Sequence, residues 1–198
     1  MEREALRSIF AQATVGIAGA GGLGSTCAVS LARAGVRRLV AADFDTVTEA
    51  NLDRQYYFLD QVGRYKVDAL SETLRRIDPR VELIAHRIRL DPQSIREIFA
   101  GCDIIVEAVD DAGAKSMIVE TILEAFPAAH LVCASGLAGI GNLSDLRQIH
   151  HGRLHLCGDF ERGTSADSPP VAPRVGIVAN MEADMVLQIL LKIAESKK

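Results

Sequence analysis

The feature that most constrains this chain is a glycine-rich turn set between a strand pattern and a helix pattern. Thr14–Ala18 (T-V-G-I-A) reads as a short buried strand. Gly19-Ala20-Gly21-Gly22-Leu23-Gly24-Ser25 follows at once and runs into a helical pattern from Thr26 to Ala34. A strand, a tight glycine turn and a helix in that order build a phosphate site. Glycine lets the backbone approach the ligand closely, and the helix N-terminus offers unpaired N–H groups and partial positive charge. Gly19, Gly21 and Gly24 satisfy the spacing of a dinucleotide fingerprint, which by itself does not separate redox chemistry from nucleotidyl transfer.

Beyond that turn, short apolar runs alternate with helical patterns. Strands are expected over Arg38–Ala42, Val81–Ala85, Asp103–Ala108 and His130–Ala134. Helices are expected over Gly63–Ile77, Asp91–Ala100, Ala112–Ala125 and Val175–Ala194. Asp78-Pro79 stops the first of these helices, because the residue before proline disfavours the helical region. Asp91 and Pro92 read as the N-cap and first position of the second. Strands apolar on both faces argue for a parallel sheet covered on each side. After Gly136 the pattern changes: Leu146–His150 and Arg153–Cys157 alternate polar and apolar residues around His151-Gly152, as an edge β-hairpin does. The expected fold is therefore α/β, a Rossmann-like, doubly wound, mainly parallel sheet with helices on both faces and a C-terminal antiparallel hairpin at its edge. Residues 158–173 form a long loop with Pro169, Pro170 and Pro173, and loops of that length are usually functional or mobile.

At 198 residues the chain is expected to form one domain over its whole length, 1–198. A net charge of −4, spread without runs, gives no electrostatic footprint for nucleic acid or an anionic membrane. No apolar run reaches the ~20 residues that span a bilayer, and the opening M-E-R-E-A-L-R lacks a signal-peptide core. Cys27, Cys102, Cys133 and Cys157 are scattered without a C-x-x-C pair, which fits reduced thiols and a cytoplasmic location and argues against a structural zinc site.

The residues after the second strand separate the two chemistries. Asp43 ends that strand, where an acidic residue binds the ribose hydroxyls of NAD or of an adenine nucleotide alike. It opens Asp43-Phe44-Asp45-Thr46-Val47. Asn51-Leu52-Asp53-Arg54-Gln55 follows, then Gly63-Arg64-Tyr65-Lys66, then Asp110 past the fourth strand. This series resembles the ThiF/MoeB/HesA family, within the superfamily of the ubiquitin-activating enzymes, and most of all its compact ThiF type. The resemblance is close over Val15–Asp111 and looser beyond. It implies an ATP-dependent adenylyltransferase that activates the C-terminal glycine carboxylate of a ubiquitin-like sulfur carrier protein of ThiS type, releasing pyrophosphate, in thiamine biosynthesis. The residues it implies are Gly19, Gly21, Gly22, Leu23 and Gly24 around the phosphates and Asp43 on the ribose, with Asp45 alongside. Asn51 and Gln55 would order the phosphate side, Arg54 and Lys66 would clamp the phosphates, and Asp110 would hold Mg²⁺. Clustered cations beside a metal-binding carboxylate are what phosphoryl chemistry needs and hydride transfer does not.

Several features stay open. Asp111 stands beside Asp110 where the family has asparagine, and one of the two caps the helix at Ala112. Cys157 lies where relatives carry a thioester or persulfide cysteine, although a cysteine ending a strand is more often structural. His150, His151 and His155 cluster in the hairpin and read as surface histidines ahead of a metal site. The loop 158–173 is expected to cover the carrier's Gly-Gly tail. The resemblance further implies a homodimer, with Arg7 or Arg3 as the residue reaching the partner's ATP site. No paired zinc ligands and no rhodanese-like segment occur, which favours the ThiF type. A MoeB-type activator of molybdopterin synthase is the nearest competitor, followed by a nucleotide-binding module without chemistry and an NAD-dependent oxidoreductase.

Overall fold

A computed structural model describes residues 2–165 and 167–196. In chain order the elements are α1 (Arg3–Phe10), β1 (Thr14–Ala18), α2 (Gly22–Ala34), β2 (Arg38–Ala42), α3 (Lys66–Ile77), β3 (Glu82–His86) and α4 (Pro92–Ile98). They continue with β4 (Ile104–Glu107), α5 (Ala112–Ala125), β5 (His130–Ala134), β6 (Arg147–His151), β7 (Leu154–Gly158) and α6 (Ala172–Ser196). The strands form one seven-stranded sheet in the order β3-β2-β1-β4-β5-β7-β6. Every pairing is parallel except β6 against β7, which closes one edge as an antiparallel hairpin. The Rossmann-like, doubly wound α/β expectation holds.

Each face of the sheet buries its own apolar cluster. On one, α1, α2, α3 and α6 pack Leu31, Leu70, Leu74 and Ile189 against Val15, Ile17, Leu39 and Val106. On the other, α4 and α5 pack Ile95, Phe99, Ile118 and Ile122 against Val40, Ile105 and Leu131. Gly16 sits in mid-strand because a Cβ there would fall 2.7 Å from the ring of Phe99. Asp91 caps α4 through Ser94 N–H at 2.7 Å, with Pro92 in the first turn, as its sequence dictates.

Several details differ from expectation, among them the last helix, which starts at Ala172 rather than Val175 and so shortens the expected 158–173 loop. The helix after the glycine turn starts at Gly22 rather than Thr26, because the turn itself winds into the first helical residues. The next helix starts at Lys66, not Gly63: Gly63 takes φ +87, and Tyr65 pairs with Thr46 in a short antiparallel bridge. Edge strand β3 is not buried on both faces, since Ile84 is half exposed. The hairpin turn falls one residue later, at Gly152-Arg153. Helix α1 was not anticipated. It binds by Leu6, Ile9 and Phe10, a single apolar face too short to stand out in the sequence. Among the described residues, no helix is long and apolar enough to cross a membrane.

One buried cluster runs against the apolar interior. Glu107 on β4 accepts Val109 N–H at 2.9 Å and binds the ammonium of Lys115, which also donates to Ala134 O at 3.2 Å. Glu182 on α6 is fully buried, with neither carboxyl oxygen bonded among the described residues. Burial, with the Glu107 charge adding and Lys115 opposing, pushes its carboxyl well above the ordinary range. A carboxyl whose folded pKa is raised contributes most at low pH and costs stability as pH rises past the unfolded value of about 4.3. Replacing Glu182 with Met should therefore stabilise the protein by about 1–3 kcal/mol at pH 8, the usual cost of an unpaired buried group. The gain should shrink toward pH 4; thermal melts that show the same gain at both pH values would contradict this.

Candidate active site

Strand order reverses direction between β1 and β4, and in open α/β sheets ligands bind in the crevice beyond the carboxyl ends at that point. The glycine turn fills one side of it. Gly19 takes φ +101 and lies so close to β4 that a Cβ would sit 2.8 Å from Ala108 O. At Gly24 a Cβ would fall 1.9 Å from Gly19 O, so the turn closes on itself only with glycine at both ends. Gly21 is the N-cap of α2 and has no side chain to satisfy the first-turn N–H groups of Gly22, Leu23 and Gly24, which leaves them for an anion. The Leu23 side chain itself is buried in the core, so its part in the turn is backbone and packing.

Hydrogen bonds fix the turn from both sides. Asp43 accepts Ala20 N–H at 2.7 Å through one oxygen and Asp45 N–H at 2.8 Å through the other. Burial pushes its carboxyl up from the aspartate range, opposed by those two N–H donors and by Lys66. The buried Tyr57 hydroxyl donates to Ala20 O at 2.7 Å. Ser25 Oγ donates to Gly21 O at 2.6 Å and accepts Tyr56 N–H at 3.0 Å. Ser25, Tyr56 and Tyr57 were not anticipated; the only sequence signal was their place inside or next to the two motifs they join.

That staple brings Arg54 and Gln55 onto the turn. A Cβ at Gly22 would lie 3.2 Å from Arg54 O and 3.9 Å from its Cγ, and one at Gly21 would lie 3.8 Å from Gln55 Nε2. Gln55 Oε1 is buried without a partner among the described residues. The Arg54 guanidinium rests on Ala50 O at 3.1 Å and on exposed Asp53 at 2.7 Å. Asn51 shapes the segment: its side chain accepts Thr48 N–H at 3.0 Å and its carbonyl accepts Gln55 N–H at 2.9 Å. Lys66, only 5% exposed, binds Asp45 at 2.7 Å. Asp111 caps α5 by accepting Ala114 N–H at 2.7 Å, which leaves the neighbouring Asp110 carboxylate facing solvent past the end of β4. Among the described residues no group of three or more His, Cys, Asp or Glu gathers to hold a metal ion; a lone carboxylate such as Asp110 is compatible with Mg²⁺, which takes few protein ligands and fills its shell with phosphates and water.

Three side features are placed as follows. Cys157 is fully buried in β7 ahead of the loop, and burial pushes its thiol up to about 12, the setting of a packing residue rather than a nucleophile. His155 is buried, not a surface histidine: it bonds His130 at 2.9 Å and His150 at 2.9 Å across β5, β7 and β6. Burial lowers its pKa to about 4, while His151 is exposed. Arg7 is engaged in its own chain, donating to Arg33 O at 3.2 Å and lying 3.5 Å from Asp78. Replacing Tyr57 with Phe should loosen the turn, costing about 1 kcal/mol of stability in thermal melts. An unaltered melting temperature would show that the hydroxyl does not hold the turn in shape.

A ThiF family profile matches residues 2–198. The adenylyltransferase and sulfurtransferase uba4 of Emericella nidulans is 34% identical over 93% of this chain and 41% of that protein. The adenylyltransferase and sulfurtransferase MOCS3 of Caenorhabditis briggsae is 32% identical over 90% of this chain and 46% of that protein. The chain thus spans less than half the length of these curated relatives. Among solved structures, the AMP complex of E. coli tRNA N6-threonylcarbamoyladenosine dehydratase TcdA superposes with a TM-score of 0.86 at 18% identity, covering 98% of this chain and 92% of that one. The ATP complex of E. coli MccB gives 0.74 at 20% identity, covering 96% of this chain and 59% of that one. Glycine turn, Asp43 segment, Arg54-Gln55 segment and post-β4 aspartate occupy one crevice of a sheet shared with those structures, and with the match over nearly its whole length the chain belongs to the ThiF family.

Proposed function

We propose that the chain is an ATP-dependent adenylyltransferase that joins AMP to the C-terminal glycine carboxylate of a ubiquitin-like sulfur carrier of ThiS type, in thiamine biosynthesis. The observation that carries the reading is the convergence of Arg54, Gln55 and the uncapped N-terminus of α2 on one turn, with Asp43 bound to that turn and Lys66 paired to Asp45. In this reading the nucleotide ribose lies against Asp43 and the phosphates lie over the first turn of α2. Arg54 and Lys66 face the charge that builds on the phosphate oxygens. The acceptor carboxylate oxygen forms a bond to the α-phosphorus while the bond to the β-phosphate oxygen breaks, and pyrophosphate leaves. Asp45 keeps the buried Lys66 ammonium compensated until phosphates arrive, which limits the cost of an unpaired buried charge. Asp110 would hold Mg²⁺, whose role is to neutralise the phosphates. Two copies would pair, with Arg7 or Arg3 reaching the partner's site.

A MoeB-type role, activating a molybdopterin-synthase carrier, is the second reading. It is favoured by the relatives, which are named adenylyltransferase and sulfurtransferase. Exchange of labelled pyrophosphate into ATP, run with ThiS-type and molybdopterin-type carriers, separates the two. Carrier-dependent exchange that vanishes when the terminal glycine is removed is the expected result. No exchange with either carrier would contradict adenylation. Asp110→Ala should abolish Mg²⁺-dependent exchange with the fold intact. Arg54→Ala should slow it by about 10²–10³-fold, as for loss of one preorganised donor; a wild-type rate in either variant would remove that residue from its role.

A further inference from the structure

The outer edge of the sheet beside β2 carries a surface that the crevice does not use. β3 is the last strand there and pairs only with β2. Glu82 N–H donates to Arg37 O at 2.8 Å, and His86 O accepts Asp43 N–H at 3.0 Å. The even-numbered residues of β3 therefore turn their backbone groups inward, to β2. Strand alternation turns the N–H and C=O groups of Leu83 and Ala85 outward, along the free edge. Such a row of unpaired donors and acceptors is a template for another strand, and proteins commonly guard it with charges on the strand itself. β3 carries one carboxylate, Glu82, and no lysine or arginine. Ile84, on the face opposite to Leu83 and Ala85, is 51% exposed.

Positive charge stands on the neighbouring helix instead. A groove of about 680 Å³ runs between α3 and β3, with Leu83 and Ala85 as its apolar floor. Asp68, Ser71, Glu72, Arg75 and Arg76 line it from α3, at the spacing of one helix face. With Arg64 and Arg87 added, four arginines share the groove with two carboxylates. Both carboxylates are engaged: Arg87 binds Asp68 at 2.6 Å, and Arg64 binds Glu72. Arg75 donates to Ser71, at 2.9 Å to Oγ and 3.3 Å to the carbonyl. Among the described residues no carboxylate lies within ion-pair distance of Arg75 or Arg76, and both are exposed. The groove is thus a local positive excess in a chain of net charge −4.

These features select one kind of occupant. The open backbone edge fits an extended segment. The arginines on the α3 side fit acidic side chains, and Ile84 on the opposite face fits apolar ones. Successive side chains of a strand point to opposite faces, so a segment alternating acidic and apolar residues meets both demands. The five residues of β3 give about 17 Å of edge, room for two or three carboxylates facing the groove. A second copy of this chain, pairing edge to edge, would set the same arginines against one another. A nucleic acid strand offers no amide groups to Leu83 and Ala85.

We propose that the outer edge of β3 is a docking site for an extended acidic segment of a partner protein, which adds a strand to the sheet and sets its carboxylates on Arg75 and Arg76. Backbone hydrogen bonds supply the affinity, and the arginines with Ile84 choose the sequence.

The test is fluorescence anisotropy with the full chain and a labelled peptide alternating glutamate and valine, about ten residues long so that it spans the strand. The expected result is saturable binding that weakens as salt is added. The double change Arg75→Glu with Arg76→Glu should weaken it by about tenfold or more, as for the loss of two exposed ion pairs. These positions are exposed, so the thermal melt should stay near wild type. Two further peptides carry N-methyl groups on the glutamates or on the valines. Strand addition uses the N–H groups of only one of these sets, so one peptide should lose binding while the other keeps it. Failure of the parent peptide to bind, an affinity unmoved in the double variant, or undiminished binding of both methylated peptides would overturn the site. Tighter binding of a single-stranded oligonucleotide, lost in the double variant, would also overturn it, marking the arginines as a phosphate surface.

Discussion

The structure depends on one close approach, the contact of the Gly19–Gly24 turn with itself and with β4. A Cβ at Gly24 would overlap the carbonyl of Gly19, and one at Gly19 would press on Ala108 O. Because both positions are glycine, the chain passes from β1 to α2 through only Gly19, Ala20 and Gly21, and the uncapped end of α2 faces the crevice between β1 and β4. Everything else in the site is arranged around that backbone. Asp43 and Tyr57 hold Ala20 from opposite chemical sides, one accepting its N–H and the other donating to its carbonyl. Ser25 ties the turn to the segment that carries Arg54 and Gln55. These ties hold the turn and the Arg54-Gln55 segment in one fixed arrangement around the uncapped end of α2.

Charge is handled by pairing rather than by excess. Lys66 is buried against Asp45, Arg54 leans on exposed Asp53, and Asp43 keeps two N–H donors. Each cation therefore has a counter-charge within the protein, so the local positive groups stand compensated in a chain of net charge −4.

Much of this was legible in the sequence, for physical reasons. Thr14–Ala18, Arg38–Ala42 and His130–Ala134 are continuous apolar runs bounded by turn residues, and their strands end where that pattern ends. Asp91-Pro92 and Asp111 announce helix starts through local hydrogen bonds that need no tertiary context. Helix α1 was missed because its apolar face, Leu6, Ile9 and Phe10, acquires meaning only against the core. The burial of Cys157 and His155 and the pairing of Arg174 with Asp159 depend on side chains brought together from separate elements. No spacing rule encodes them.

The central claim is that this crevice transfers AMP to a carboxylate, and intact mass spectrometry of the acceptor tests it most directly. A Gly-Gly-ending sulfur carrier incubated with the protein, ATP and Mg²⁺ should gain the mass of one adenylyl group. Hydroxylamine should remove that group, as it does from an acyl phosphate anhydride. ATP bound at the crevice while both ThiS-type and molybdopterin-type carriers keep their starting mass would contradict the account.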